Sequence, residues 1–204
     1  MSALTIRPAR PEDVDVAVPV LRDSMGGLAD YLYSGDPRHS VDRYLARMFK
    51  IGGHRFSWDR SFIAEADGRA AGMLLSYPGR EINALQMAFI LRLPELYRWS
   101  APRVLWRAAG LLNAPETDAD EYYVSNIGIL PEFQNRGYGA ELMAFAEDQA
   151  RAAHLPECGL SVDEGNHGAV RFYERLGYKI VFSKTFSGMM ARYESGYHRM
   201  VNIL

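Results

Sequence analysis

The feature that most constrains this chain is a turn, Gln134-Asn135-Arg136-Gly137-Tyr138-Gly139, set between a β-type apolar run and a strongly helical stretch. The run at 122–129 reads YYVSNIGI and leads through Pro131 into the turn, and helix formers continue to about 153. Two glycines two residues apart let the backbone come very close to whatever sits there. The N–H groups at the helix start then point at it, and the helix dipole favours an anion. The expectation is a phosphate-cradling turn. It is not the P-loop, because no Gly-Lys-Ser/Thr follows to reach a γ-phosphate and hold magnesium, and it lacks the G-x-G-x-x-G of a dinucleotide fold. The preceding strand, the adjacent Arg136 and the immediate helix suit a pyrophosphate bound without metal.

Around this turn the chain reads as one domain. Its 204 residues and 48% hydrophobic content suit a single core of substantial size. A net charge of -2 provides no global field for nucleic acid or acidic membranes. A single cysteine, Cys158, excludes an internal disulfide and fits a reducing compartment, and its position before a strand suits a buried small residue. The N-terminus lacks an apolar signal core, and charges interrupt every apolar run before it reaches membrane-spanning length. The expectation is a soluble, cytoplasmic protein. The five histidines (His39, His54, His154, His167, His198) have no metal-ligand spacing, so no metal site is expected.

In chain order, 4–8 predicts an edge strand, and Pro11-Glu12-Asp13 opens a helix running to Met25 and stopping at Gly26-Gly27. A short helix is expected at 28–33, ending near Ser34-Gly35-Asp36-Pro37. Another spans 41–51 with Tyr44, Leu45, Met48 and Phe49 on one face. Asp67-Gly68 between SFIAEA and RAAGMLLSY predicts a hairpin over 61–77. Residues 80–120 break the rhythm with large apolar residues, Leu111 and Leu112 among them, punctuated by Pro94, Pro102 and Pro115. They read as two or three inserted helices, too short a stretch to bury a core of its own. After the central strand and its helix come a strand at 159–162, a short helix at 169–176, and strands at 178–185 and 197–204. This order predicts a mixed α/β (α+β) sheet, parallel at the phosphate turn and antiparallel at both ends.

ILPEFQNRGYGAELM resembles the acyl-CoA-binding signature of the GCN5-related N-acetyltransferases (the GNAT superfamily), Gln/Arg-x-x-Gly-x-Gly/Ala, with Gln134, Gly137 and Gly139 in its places. A second block, Asn166 to Tyr178 (NHGAVRFYERLGY), resembles that family's Asn-x-x-Ala-x-x-x-Tyr-x-x-x-Gly-Phe/Tyr. The similarity is good over 122–204 and loose over 61–77. The first sixty residues fit in outline, and 80–120 matches nothing general. The resemblance implies an acyl-CoA N-acyltransferase fold, a central mixed but mostly antiparallel sheet flanked by helices.

It further implies acetyl-CoA as the acetyl donor and direct attack by a primary amine of a small molecule, peptide or protein in a ternary complex. By the same resemblance, backbone amides of Gln134, Asn135, Arg136, Gly137, Tyr138, Gly139 and Ala140 hold the pyrophosphate. The backbone of Ile127, Gly128, Ile129 and Leu130 pairs with the pantetheine arm, as an added strand would, and Ile127 and Ile129 equally suit the core. Asn166 matches a cofactor-contacting asparagine, or a helix N-cap. Tyr173 matches the proton donor to the departing thiolate, a role a phenol suits, although 169, 172, 173 and 176 also have core spacing. For the general base the expectation is Glu121, just before the central strand, with Asp120 beside it. Tyr123 and Ser125 on one side of that strand are expected to face the acceptor. The aromatics and arginines of the insertion (Tyr97, Arg98, Trp99, Arg103, Trp106, Arg107) suit either a pocket for an amphipathic or anionic acceptor or helix packing with a homodimer face. Transfer of another acyl group and a catalytically silent acyl-CoA-binding module are the alternative readings.

Overall fold

Asp67 and Gly68 both adopt positive φ (53° and 72°), the backbone that a two-residue loop needs to match strand twist. They join β2 (Ser61–Ala66) to β3 (Arg69–Pro78) with Ala66 opposite Arg69. The computed structural model describes residues 4–35, 40–109 and 116–204. Asp36, Pro37, His39, Leu111, Leu112 and Pro115, singled out above, lie outside the described residues. The other elements are β1 (Thr5–Pro8), α1 (Val14–Met25), α2 (Gly27–Tyr33), α3 (Val41–Lys50), α4 (Ile82–Tyr97), α5 (Ala101–Ala108), β4 (Glu121–Ile129), α6 (Tyr138–Ala152), β5 (Glu157–Asp163), α7 (His167–Arg175), β6 (Lys179–Thr185) and β7 (Gly196–Ile203).

The strands form one sheet in the order β1-β2-β3-β4-β5-β7-β6. Among the described residues β4 and β5 run parallel and every other neighbouring pair is antiparallel. That is the mixed, mostly antiparallel sheet that the resemblance implies. Each face carries its own core. Ile63, Met73, Leu75 and Tyr123 join the buried residues of α1 to α5 on one side. Leu74, Tyr122, Val124 and Leu160 pack with Leu142, Met143 and Ala146 of α6 on the other.

Two helix starts differ from expectation. α1 begins at Val14 rather than at Pro11, because the Asp13 carboxylate is held at 2.8 Å by both terminal nitrogens of Arg7 and at 2.7 Å by the Arg10 amide. Gly26 and Gly27 do not stop the chain but break it between α1 and α2. A Cβ on Gly27 would lie 1.9 Å from the Tyr193 carbonyl oxygen, so no other residue fits there. α3 is capped by Ser40, whose Oγ accepts the Arg43 amide at 3.3 Å. It buries Val41, Tyr44, Leu45, Met48 and Phe49, the face its spacing predicts.

The insertion packs on α2 and α3. Tyr97 stacks on Tyr33 with ring centroids 5.4 Å apart. Arg103 donates to the Gly35 carbonyl at 2.8 Å, and Arg107 to those of Tyr31 (2.6 Å) and Ser34 (3.0 Å). These residues fasten the insertion to the body of the protein, while Trp99 and Trp106 are 82% and 66% exposed.

Candidate active site

β4 and β5 pair from Glu121↔Glu157 as far as Val124↔Leu160. Beyond that, β4 stays with β3 to Ile129 and β5 stays with β7 to Asp163. The two strands therefore part in the middle of the sheet. The facing backbone edges inside this wedge lack a strand partner, the arrangement to which an extended chain can be added.

At the same point β4 carries a bulge. Leu75 of β3 opposes Asn126 and Ser76 opposes Val124, leaving Ser125 as the extra residue. A bulge shifts the alternation of side chains by one. Before it, Tyr122 and Val124 face the α6 core; after it, Ile127 and Ile129 do. Ser125 and Asn126, though consecutive, both line one cleft on the opposite face. Ser125 Oγ donates to Asn126 Oδ1 at 3.0 Å, and Asn126 Nδ2 donates to Ser24 Oγ of α1 at 2.9 Å.

The turn after β4 is fixed from within. Gln134 Nε2 donates to the Ile129 carbonyl at 2.9 Å, Asn135 and Gly137 have φ of 60° and 87°, and Gly137 caps α6 without a side-chain bond. The N–H of Gln134 donates to Pro131 and that of Ala140 to Gly137. Among the described residues those of Asn135, Arg136, Gly137, Tyr138 and Gly139 meet no backbone carbonyl. Five consecutive unused donors at a helix start form an anion cradle. The second motif touches the first here, since a Cβ on Gly139 would lie 3.4 Å from the Phe172 ring. α7 begins at Asn166, whose Oδ1 accepts the Ala169 amide at 3.0 Å. Asn166 is thus the N-cap of α7. Tyr173 on this helix shares the core of Val124, Leu160 and Val162, the residues around the point where the strands part. Burial pushes its hydroxyl up to about 12.

On the other face the cleft encloses about 390 Å³. Its floor is Tyr123, Ser125 and Asn126 of β4 with Ser161 and Asp163 of β5, and α2 and the insertion form its walls. A buried ion pair spans one end. Arg55 grips Glu116 through both terminal nitrogens and holds Gln86 Oε1 at 2.7 Å, and the Tyr123 hydroxyl donates to Glu116 at 3.2 Å. Burial disfavours the Glu116 carboxylate, but the Arg55 charge and these hydrogen bonds outweigh it and hold the group below its usual range.

At the other end stands Glu194, from the connection between β6 and β7. Its Oε2 is buried with no hydrogen-bond partner, and a Cβ on Gly26 would sit 3.8 Å from it. Burial raises its carboxyl to about 7, the Asp163 charge adding to the effect and the Leu28 amide opposing it.

The family model described as "Acetyltransferase (GNAT) family" matches residues 28–178, more than half of the chain. The chain belongs to the GNAT acetyltransferase family. A comparison with curated proteins finds no match. Among solved structures, an N-acetyltransferase from Staphylococcus aureus Mu50 superposes with a TM-score of 0.70 at 21% identity, covering 97% of this chain and 99% of that one. A polyamine N-acetyltransferase of Drosophila melanogaster gives 0.61 at 13% identity (99% and 100% covered). The ribosomal-protein-S18-alanine N-acetyltransferase of Escherichia coli gives 0.55 at 15% (98% and 94%). At these identities the likeness is one of fold.

Within this acetyltransferase, Glu121 lies elsewhere. It is 1% exposed, ion-paired with Arg199, and accepts from Thr117 Oγ1 at 2.8 Å and the Asp118 amide at 3.1 Å. It lines a separate depression with Asp118 and Lys179, not the cleft of Tyr123 and Ser125. Asp120 is exposed. The insertion residues singled out for the acceptor (Tyr97, Arg98, Trp99, Arg103, Trp106 and Arg107) do not line the cleft; Phe89, Val104 and Glu116 do. Glu194 went unnoticed in the sequence because it lies outside both motifs. The one sequence signal for the bulge is the polar pair Ser125-Asn126 interrupting an apolar strand. Cys158 is fully buried, with its thiol pushed up to about 12, and is inert as a nucleophile. Among the described residues no group of His, Cys, Asp or Glu is placed to hold a metal ion, and no helix is long and apolar enough to cross a membrane.

Proposed function

We propose that the protein transfers the acetyl group of acetyl-CoA to a primary amine by direct attack in a ternary complex. The observation that carries this reading is the parting of β4 from β5, with five unused amides at one end of the wedge and the cleft of Ser125 on its other face. The amides of Asn135 to Gly139, flanked by Gln134 and Ala140, would hold the pyrophosphate, a contribution of about 0.3–2 kcal/mol from the helix terminus alone. The free edge at Ile127, Gly128, Ile129 and Leu130 would take the pantetheine amides as an added strand. The Ile129 carbonyl, already held by Gln134, keeps that edge in place. When bound, acetyl-CoA supplies the activated acyl carbon.

The amine must shed a proton before it attacks. Glu194 suits that task better than Glu121: it lines the cleft and titrates near neutrality, where a base is most effective, whereas Glu121 is locked to Arg199. As the N–C bond forms and the C–S bond breaks, the amine proton passes to Glu194. Tyr173 gives its phenolic proton to the sulfur and recovers one from solvent. Tyr123 and Ser125 would line the acceptor, and Asn166, through the amide nitrogen left free by its capping bond, would face the cofactor arm.

The test is a melting-temperature shift with coenzyme A, followed by thiol release from acetyl-CoA with an amine. Saturation at one hundred times Kd should stabilise the protein by about 2.7 kcal/mol. A Tyr173→Phe variant should keep that shift and lose about a hundredfold or more in kcat. Absence of any shift would overturn the donor assignment, and a fully active Tyr173→Phe variant would remove the proposed acid.

A further inference from the structure

The cleft also says what kind of amine it admits. Its volume of about 390 Å³ lies at the small end of small-molecule sites, roughly 300–1,000 Å³. The insertion closes over it, leaving no open groove for an extended peptide. Its walls are largely apolar, with Leu28, Leu32, Phe56, Phe89, Val104 and Phe186 among them.

The charges are uneven. Among the described residues Arg55 is the one cation that lines the cleft, and it is already bound to Glu116 and Gln86. Asp163 and Glu194 line the same space, and neither has a lysine or arginine partner among the described residues. Asp163 accepts only the Gly165 amide, at 2.8 Å. A carboxylate brought into this cleft would meet two uncompensated acids and no free cation. An ammonium would meet complementary charge, and an apolar body would cover the aromatic wall.

We propose that the acceptor is a small amine carrying its cationic nitrogen on a compact apolar body, with no acidic group, the nitrogen toward Asp163 and Glu194 and the body against Phe89 and Leu28. Phenylethylamine is the simplest molecule of that class. The inference rests on the acetyl-transfer reading and narrows it. The reaction is the one balanced above: one N–C bond made, one C–S bond broken, one proton to Glu194 and one to sulfur.

The experiment uses the full chain with saturating acetyl-CoA and measures thiol release for four acceptors. These are 2-phenylethylamine, phenylalanine (the same body with a carboxylate), 1,4-diaminobutane (the amine without the body) and a short peptide with a free N-terminus. The expected kcat/KM for phenylethylamine exceeds each of the others by about tenfold or more. Asp163→Asn should shrink its advantage over phenylalanine several-fold. In parallel, phenylethylamine should raise the melting temperature of the coenzyme A complex, and phenylalanine should not.

Preference for phenylalanine, the peptide or the diamine overturns this inference and leaves acetyl transfer standing. So does failure to acetylate phenylethylamine while coenzyme A still binds. Loss of coenzyme A binding in the parent protein instead overturns the reading on which the inference rests.

Discussion

At the scale of single residues, the site turns on where each carboxylate is placed. Glu121 and Glu194 are chemically identical. One is neutralised by Arg199 and the other stands beside Asp163 with an unpartnered oxygen, so only the second has a proton to exchange near pH 7. Glu194→Gln should therefore lower kcat by about a hundredfold or more and abolish the rise of kcat/KM with pH around 7 that deprotonation of this group produces. A variant that keeps both rate and pH limb would exclude Glu194 as base. The residues of the phosphate turn were legible in the sequence because their role is local: Gly137 needs a left-handed backbone and Gln134 reaches back only five positions. Glu194 was not legible. Its burial depends on the break between α1 and α2, more than 160 positions earlier, where Gly27 lets the chain at Tyr193 pass. No spacing rule connects the two.

At the scale of elements, the cradle is a property of the start of α6. Gly137 has open space where a Cβ would project, but its φ of 87° is strained for any L side chain. Gly137→Ala should thus cost about 1–2 kcal/mol of stability from backbone strain. It should also raise the Kd for coenzyme A more than that for the amine, because the amides would no longer converge. Denaturant unfolding and two binding titrations separate these effects, and equal weakening of both ligands would speak against a cradle. The hairpin, the helix after the turn and the order of strands were legible because turn chemistry and periodicity are short-range. The insertion was legible as helices but not in its role. The hydrogen bonds of Arg103 and Arg107 to the carbonyls near the end of α2 turn its basic face inward as a fastening, so the cleft receives Phe89 and Val104 instead.

At the scale of the whole molecule, two buried groups set opposing trends with pH. His54 is fully buried, and burial lowers its imidazole to about 4, below the 6.5 of an unfolded chain. Its contribution, on the order of 3 kcal/mol at most, is present above pH 6.5 and is lost as pH falls toward 4. Glu194 runs the other way. With a folded value near 7 against 4.5 unfolded, the native state holds the extra proton between those values, so stability rises as pH falls through that window. Removing the second trend exposes the first. Between pH 7 and pH 5, Glu194→Gln should lose more melting temperature than the parent protein, and equal losses would refute the assignment.

The extra residue in β4 has a further consequence for how this protein tolerates change. Replacing Ser125 removes a hydroxyl and leaves both layers in place. Deleting it is a different kind of lesion: it puts the strand back in step, so the residues that follow exchange sides. Isoleucines 127 and 129 would turn toward α1, and Asn126 and Gly128 toward α6. A library of single-residue deletions should therefore find the most intolerant site of the strand where a substitution library finds one of the milder ones.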